Sequence, residues 1–186
     1  MSDHDSSGGA GPSPLAAQVR RSVRDIPDFP KPGIVFKDIT PVLADAALFA
    51  RVTDAMARPF LGRGVTHVVA IESRGFILGG PIAQRLDAGF VPMRKPGKLP
   101  SQTTRESYDL EYGTDALEMH VDALTGRSKV LIVDDVLATG GTAAAACRLA
   151  ERHAGEVVGC SFLLALSFLP GRDALAGRPC AVVLTL

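Results

Sequence analysis

Short, continuous apolar runs recur along the chain, separated by segments in which apolar residues return every three or four positions. Continuous runs are typical of strands buried on both faces, whereas the longer spacing is typical of amphipathic helices. The runs predict strands over residues 66–71, 90–93, 117–121, 129–133, 157–166 and 180–186. The spaced segments predict helices over residues 15–24, 45–61, 75–88 and 143–153. Because strands and helices alternate, the pattern indicates an α/β fold with a parallel sheet covered on both faces.

Three segments lack either pattern. Residues 1–14 are rich in Gly, Ser, Pro and Asp, so we expect a disordered tail, followed by a single domain over residues 15–186. Prolines crowd residues 26–41, and we expect this segment to be irregular although it carries several large apolar side chains. Residues 94–114 are polar and interrupted by Gly and Pro, which predicts a long loop or a flexible hairpin.

Composition excludes several classes of function. Hydrophobic residues make up 46% of the chain and charged residues 22%, as in ordinary globular domains. The 20 basic residues balance 20 acidic ones, so no overall charge attracts nucleic acid or a membrane surface. No apolar run approaches the length of a membrane span, and the N-terminus lacks the apolar core of a secretory signal. Cys147, Cys160 and Cys180 have neither zinc-site nor disulfide-framework spacing, so we expect buried thiols in a reducing cytoplasm.

The strongest chemical signal follows the predicted strand at 129–133. Two adjacent acids come first, Asp134 and Asp135, and a run of small residues then opens the next predicted helix, namely Ala138, Thr139, Gly140, Gly141 and Thr142. Free backbone N–H groups at a helix start bind phosphate, and glycine lets the backbone approach the anion closely. Carboxylates accept hydrogen bonds from sugar hydroxyls. The segment therefore predicts a seat for a ribose phosphate; the simpler alternative is that the acids cap a turn and the glycines only reverse the chain.

A second polar turn, ESRG at residues 72–75, follows the predicted strand at 66–71. The carboxyl ends of parallel strands meet at one edge of a sheet, so we expect this turn to lie near the first. Residues 94–105 contain Arg94, Lys95, Lys98 and Arg105 and no acid. Such a run is either a solvated surface or a clamp for a polyanion, and its place beside the other motifs favours the clamp.

Several motifs carry a family resemblance. Residues 130–142, which read VLIVDDVLATGGT, resemble the signature with which type I phosphoribosyltransferases bind phosphoribosyl pyrophosphate (PRPP). Further segments match the adenine branch of that family in order: DFPKPGIVFKDITPVL at 28–43, ESRGF at 72–76, RKPGKLP at 94–100 and YDLEYG at 108–113. The resemblance implies the family's fold, a central, mostly parallel twisted sheet flanked by helices. It adds a small N-terminal hood at about residues 25–43 and a flexible loop over the active site.

The resemblance implies a purine salvage enzyme that transfers the 5-phosphoribosyl group from PRPP to adenine, giving AMP and pyrophosphate. The residues implied for phosphate and ribose are Asp134, Asp135, Ala138, Thr139, Gly140, Gly141 and Thr142. Those implied for pyrophosphate are Ser73, Arg74, Arg94, Lys95 and Lys98. Those implied for adenine are Val35, Phe36, Lys37 and Val136. The implied catalytic residues are Glu111, which protonates or polarises the purine, together with Arg74 and Lys95.

The resemblance also implies features beyond these contacts. We expect a cis peptide bond between Glu72 and Ser73, and Mg²⁺ that is held by PRPP and water with no direct protein ligand. We expect a cytoplasmic homodimer whose partners are adenine and PRPP, with no nucleic acid and no membrane. Lys37 stands where the resemblance implies that relatives often have Arg, and Ala165 where they often have Glu. We therefore do not expect the contacts that an Arg or a Glu would make at these two positions.

Two other functions stay open from the sequence. In the first alternative the enzyme transfers the phosphoribosyl group to a different base, such as hypoxanthine, guanine, xanthine or orotate. In the second the chain is a non-catalytic regulator that binds PRPP. The segment around Val35 and Phe36 favours adenine over the other bases. A regulator that binds DNA needs a basic face and an added module, and the short glycine-rich N-terminal segment favours neither.

Overall fold

The computed structural model of the chain describes residues 13–109 and 114–186. They form two compact units, the first extending to Phe49 and the second running from Ala50 to Leu186. The helices are α1 (Pro14–Ser22), α2 (Thr40–Ala44), α3 (Ala46–Ala57), α4 (Arg74–Leu86) and α5 (Gly141–Glu151). The strands are β1 (Arg24–Ile26), β2 (Phe36–Asp38), β3 (His67–Ile71), β4 (Gly89–Met93), β5 (Thr103–Asp109), β6 (Thr114–His120), β7 (Lys129–Leu137), β8 (Glu156–Ala165) and β9 (Cys180–Thr185). No helix in the described ranges combines the length and apolar character that crossing a membrane requires.

The first unit contains regular structure in the proline-rich segment, where we expected none. Strands β1 and β2 pair antiparallel, with Ile26 opposite Phe36. Helix α2 follows and carries Pro41 in its first turn, where a missing N–H breaks no helical hydrogen bond. The expectation of an irregular segment over residues 26–41 was therefore wrong at both places. The prediction of a single domain over residues 15–186 stays a prediction.

The second unit is built on a five-stranded sheet in the order β4-β3-β7-β8-β9. Every neighbouring pair in this sheet is parallel. Its central strands are continuous apolar runs because helices or the β5–β6 hairpin cover both faces. The predicted α/β class with a flanked, mostly parallel sheet is confirmed.

The two faces of the sheet carry different partners because side chains alternate along each strand. Val69 and Ile132 pack with α5 and the β5–β6 hairpin. Ala70 points to the opposite face, where a Cβ on Gly79 of α4 would lie 2.6 Å from the Ala70 Cβ. The glycine therefore permits the close approach of helix and sheet.

Other predictions of elements and burial were met in part. The helix predicted at 45–61 ends at Ala57, and a 3₁₀ turn at Arg58–Phe60 accommodates Pro59. Cys147 and Cys160 are buried with their Sγ atoms 3.5 Å apart, whereas Cys180 is half-buried.

Strands β5 and β6 form an antiparallel hairpin, which decides between the two alternatives left open for this segment. Glu106 of β5 binds Arg148 of α5, with Nε 2.6 Å from the carboxylate, and also binds Arg152. Two arginines one helical turn apart thus fix the hairpin to α5.

Candidate active site

Strand β7 carries two acids beyond its predicted end. The apolar run predicted a strand ending at Val133, but β7 continues to Leu137 because β8 pairs with it as far as Ala165. Pairing with β3 stops at Val133. Aspartate is a poor strand former, and pairing with β8 overrides this local preference. Asp134 and Asp135, called the acid pair below, thus lie in a part of β7 that pairs with β8 on one side but no longer with β3 on the other.

Asp135 is buried and Asp134 is half-buried, and their surroundings disfavour the charged form of both carboxyl groups. Asp135 is 5% exposed, its N–H donates to Asp134 Oδ1 over 2.8 Å, and Arg74 Nε lies 2.6 Å from its Oδ2. Burial and the neighbouring Asp135 charge raise the pKa of Asp134 well above its ordinary value. Burial also raises the pKa of Asp135, although Arg74 opposes the shift. Hydroxyl donors from a ligand would stabilise the charged form, which suits the pair to a sugar diol.

The turn after β3 packs directly on the acid pair. The Glu72–Ser73 peptide bond is cis, as the family resemblance implied. A Cβ on Gly75 would lie 2.8 Å from Asp134 Oδ1 and 3.1 Å from the Val133 carbonyl oxygen. Only glycine fits there, so the structure brings Ser73 and Arg74 beside the acid pair, as predicted from the two strand ends.

The small residues 138–142, called the phosphate loop below because the sequence predicts a phosphate site there, lead into the start of helix α5. Gly140 is buried with φ +83°, and its added Cβ would lie 2.5 Å from the Gly171 carbonyl oxygen. Helix α5 begins at Gly141, two residues earlier than predicted (143 − 141 = 2), and within the described residues no side chain caps it. The first N–H groups of a helix have no partner within the helix, so these donors can face an anion.

A cavity of about 530 Å³ lies at the carboxyl end of β7 and β8. Its lining includes Leu137, Ala165, Gly171 and Thr185. Ala165, at the position where the resemblance implied a glutamate in relatives, is 4% exposed and pairs with Leu137 and Thr185 in the sheet. The small side chain leaves the strand intact and places no charge at this position.

Glu72 organises the basic segment at residues 94–98. Its carboxylate accepts from Arg94 Nη2 at 3.1 Å, from Lys98 Nζ at 2.9 Å and from the Lys95 backbone N–H at 2.9 Å. Burial opposes the charge, but these hydrogen bonds outweigh it and lower the pKa of Glu72 to about 2. Sequence reasoning missed this role because the donors lie more than twenty positions away along the chain.

Lys95 is held at its tip by the hairpin. Its Nζ donates to Tyr108 Oη over 2.8 Å and to the carboxylate of Asp115. The β5–β6 register places Tyr108 directly opposite Asp115, so both reach the same ammonium. Asp115 was not among the predicted residues, because only strand pairing brings it to Lys95.

The remaining predicted residues belong to the first unit, to β7 or to the part of the chain that is not described. Within the first unit Val35 is 50% exposed, Phe36 packs edge-on to Phe29 with ring centroids 5.2 Å apart, and Lys37 Nζ lies 2.9 Å from Asp25. Val136 is half-buried in β7 of the second unit. Glu111 lies outside the described residues. Within those residues no three His, Cys, Asp or Glu side chains are grouped to hold a metal ion.

Comparison with known proteins decides the family. The model of the phosphoribosyl transferase domain matches residues 39–172. An adenine phosphoribosyltransferase of Myxococcus xanthus is 60% identical over 171 residues, which cover 92% of this chain and 93% of that protein. The chain belongs to the adenine phosphoribosyltransferase family. An adenine phosphoribosyltransferase of Thermobifida fusca is 58% identical over 87% of this chain and 92% of that protein.

Solved structures of the family share the fold. The crystal structure of the Rhodothermus marinus adenine phosphoribosyltransferase matches with a TM-score of 0.88 and 56% identity, covering 92% of this chain and 98% of that one. The Saccharomyces cerevisiae enzyme, solved with an imino-altritol bisphosphate and adenine, matches with a TM-score of 0.84 and 37% identity over 91% and 98%. The predicted enzyme class, an adenine phosphoribosyltransferase of purine salvage, is confirmed.

Proposed function

We propose that the acid pair and the phosphate loop bind PRPP so that its 5-phosphoribosyl group is transferred to adenine, giving AMP and pyrophosphate. One observation supports this most strongly: Asp134 packs against Gly75 of the turn after β3, and β7, which carries Asp134, leads to a helix start that no side chain in the described part of the chain caps. The diol acceptors and the cation of Arg74 are therefore in contact, and the anion cradle begins three positions after the acid pair.

The phosphate loop and the acid pair bind different parts of the ribose phosphate. The backbone N–H groups of residues 138–142, with the hydroxyls of Thr139 and Thr142, receive the 5-phosphate. Asp134 and Asp135 accept hydrogen bonds from the ribose hydroxyls. Both ends of the sugar are then fixed, and a carboxylate near the ring stabilises the positive charge of an oxocarbenium-like transition state.

The cations around the Ser73 turn receive the pyrophosphate. Arg74 and Lys95 neutralise the charge that develops on the leaving group, and the Ser73 side chain or backbone adds a hydrogen bond. Arg94 and Lys98 serve the same anion once its phosphates compete with Glu72 for them. Mg²⁺ would be held by PRPP and water, and the oxygens of the acid pair would accept hydrogen bonds from its water ligands. When bound, the ion neutralises further charge on the pyrophosphate.

Adenine recognition and assembly rest on the family resemblance. The residues proposed for the base are Val35, Phe36, Lys37 and Val136, with the Val35 carbonyl accepting from the amino group that distinguishes adenine. Glu111 is proposed to protonate or polarise the ring as the opposite nitrogen attacks. The homodimer, the cytoplasmic location, and the absence of nucleic-acid and membrane partners also stay proposals.

A direct assay tests the activity and the site together. Purified protein is incubated with PRPP, Mg²⁺ and adenine, hypoxanthine or guanine, and nucleotide is followed by chromatography. We expect AMP with adenine and at most about 1% of that rate with the oxo-purines, since the wrong hydrogen-bond pattern leaves a buried group unpaired. Equal rates with all three bases would overturn the adenine assignment, and PRPP binding without turnover would indicate a regulator.

A further inference from the structure

Asp115, Tyr108 and Lys95 form a closed hydrogen-bonded triangle. Lys95 Nζ donates to Tyr108 Oη over 2.8 Å and to Asp115 Oδ2, and Tyr108 Oη donates to Asp115 over 3.3 Å. The other oxygen of Asp115 accepts from the Ala116 backbone N–H over 2.7 Å. The carboxylate is thus fixed by its own strand, and it fixes the ammonium.

Lys95 is restrained at both ends. Its backbone N–H donates to the Glu72 carboxylate over 2.9 Å. Glu72 is the first residue of the cis peptide bond that leads to Ser73. Its ammonium has three donors, of which Tyr108 and Asp115 take two, and its side chain remains 36% exposed. A lysine fixed in this way loses little rotamer entropy when its third donor meets an anion.

The surroundings keep the lysine charged. Burial opposes the charge, but the hydrogen bonds to Asp115 and Tyr108 outweigh it and raise the pKa of Lys95. The other charged groups around its backbone are Glu72 after β3 and Glu118 of β6, which bind Arg94, Lys98 and the Gly97 N–H. Among residues 13–109 and 114–186, Asp115 is therefore the carboxylate that contacts the Lys95 ammonium itself.

We propose that Asp115, assisted by Tyr108, is a positioning residue that holds the Lys95 ammonium ready for the pyrophosphate group of PRPP. This inference rests on the proposed role of Lys95 in pyrophosphate binding. Asp115 touches no reacting atom and acts through the lysine. Without the Asp115 carboxylate the Lys95 side chain is mobile, and the entropy cost of fixing it then reduces the free energy of substrate binding.

The test compares Asp115→Asn with Asp122→Asn, an exposed acid just beyond β6. For Asp115→Asn we expect the KM for PRPP to rise roughly tenfold, the scale of one charge-assisted hydrogen bond, with kcat within about twofold. The alkaline limb of kcat/KM for PRPP should move to lower pH, because Lys95 loses the partner that raises its pKa. Asp115→Glu should restore that limb, and Asp122→Asn should change neither quantity.

A double-mutant cycle with Lys95→Met separates this inference from the proposed function. If Lys95→Met raises the KM for PRPP and Asp115→Asn has no further effect in that background, Asp115 acts through Lys95. An unchanged KM in Lys95→Met would refute the role of the lysine itself. A KM affected by Lys95→Met but not by Asp115→Asn, or one lowered by Asp115→Asn, would overturn only the positioning role. Circular dichroism and thermal unfolding of each variant exclude a folding defect as the cause.

Discussion

The side chain of Arg74 lies against that of Asp135, with Nε 2.6 Å from Oδ2. Arg74 is the first residue of α4, and Asp135 lies near the end of β7. The ion pair therefore joins the turn after one strand to the end of its neighbour, and it brings a cation to the acid pair. Arg74 partly compensates the charge of Asp135, but Asp134 remains the more strongly perturbed of the two acids.

Asp134→Asn should separate stability from substrate binding. The raised pKa of Asp134 means that the folded state favours the protonated acid, so its contribution to stability is present at low pH and is lost as pH rises through the raised value. The asparagine keeps an oxygen for the Asp135 N–H and removes the charge. We expect the variant to match the wild type near pH 4 and to be at least as stable at pH 7.5, by urea denaturation. Its KM for PRPP should rise by roughly tenfold or more; lower stability at pH 7.5 with unchanged KM contradicts the assignment.

Glu72→Gln should weaken the fold chiefly at neutral pH. Because the pKa of Glu72 is lowered from 4.5 to about 2, its contribution to stability is present above pH 4.5 and disappears as pH falls toward 2. A shift of this size corresponds to at most about 3 kcal/mol, and because glutamine keeps an oxygen acceptor we expect a loss of about 1–3 kcal/mol at pH 7, from urea denaturation at several pH values. Glu156→Gln removes an exposed acid paired with Lys129 and serves as the control, with a loss below about 1 kcal/mol. Equal losses in both variants would refute the structural role of Glu72.

Gly140→Ala should damage the phosphate loop more than strain alone explains. Gly140 has φ +83°, and its added Cβ would collide with the Gly171 carbonyl oxygen and with Ala174. Gly62 also has a positive φ, +72°, but nothing lies within 4 Å of its added Cβ. We expect Gly62→Ala to lose about 1 kcal/mol and Gly140→Ala about 2–4 kcal/mol in the free energy of unfolding. Titration with PRPP should show weaker binding in Gly140→Ala alone. Equal losses of stability and equal PRPP affinities in the two variants would show that the close approach of Gly140 to the Gly171 carbonyl is unimportant.

The central strands and the residues beside them were predictable because the signal is local. Runs such as Val68 to Ile71 and Val130 to Val133 are apolar throughout, and such short runs, rich in β-branched residues and next to polar turns, are typical of strands covered on both faces. The rule that parallel strands end at one edge of a sheet likewise predicts that Ser73 and Arg74 lie near Asp134 and Asp135. Proline content, in contrast, concealed the β1–β2 ribbon and helix α2, because prolines at strand ends and first helical turns disturb neither element.

The amino-acid sequence by itself determined which strands are buried, where the phosphate loop begins and to which family the motifs point, because each depends on neighbours within a few positions. Tertiary structure alone decided that Glu72 forms ion pairs with Arg94 and Lys98, and that Asp115 forms one with Lys95. A charged side chain finds its partner through space, and strand register and helix packing place together residues that stand about twenty positions apart.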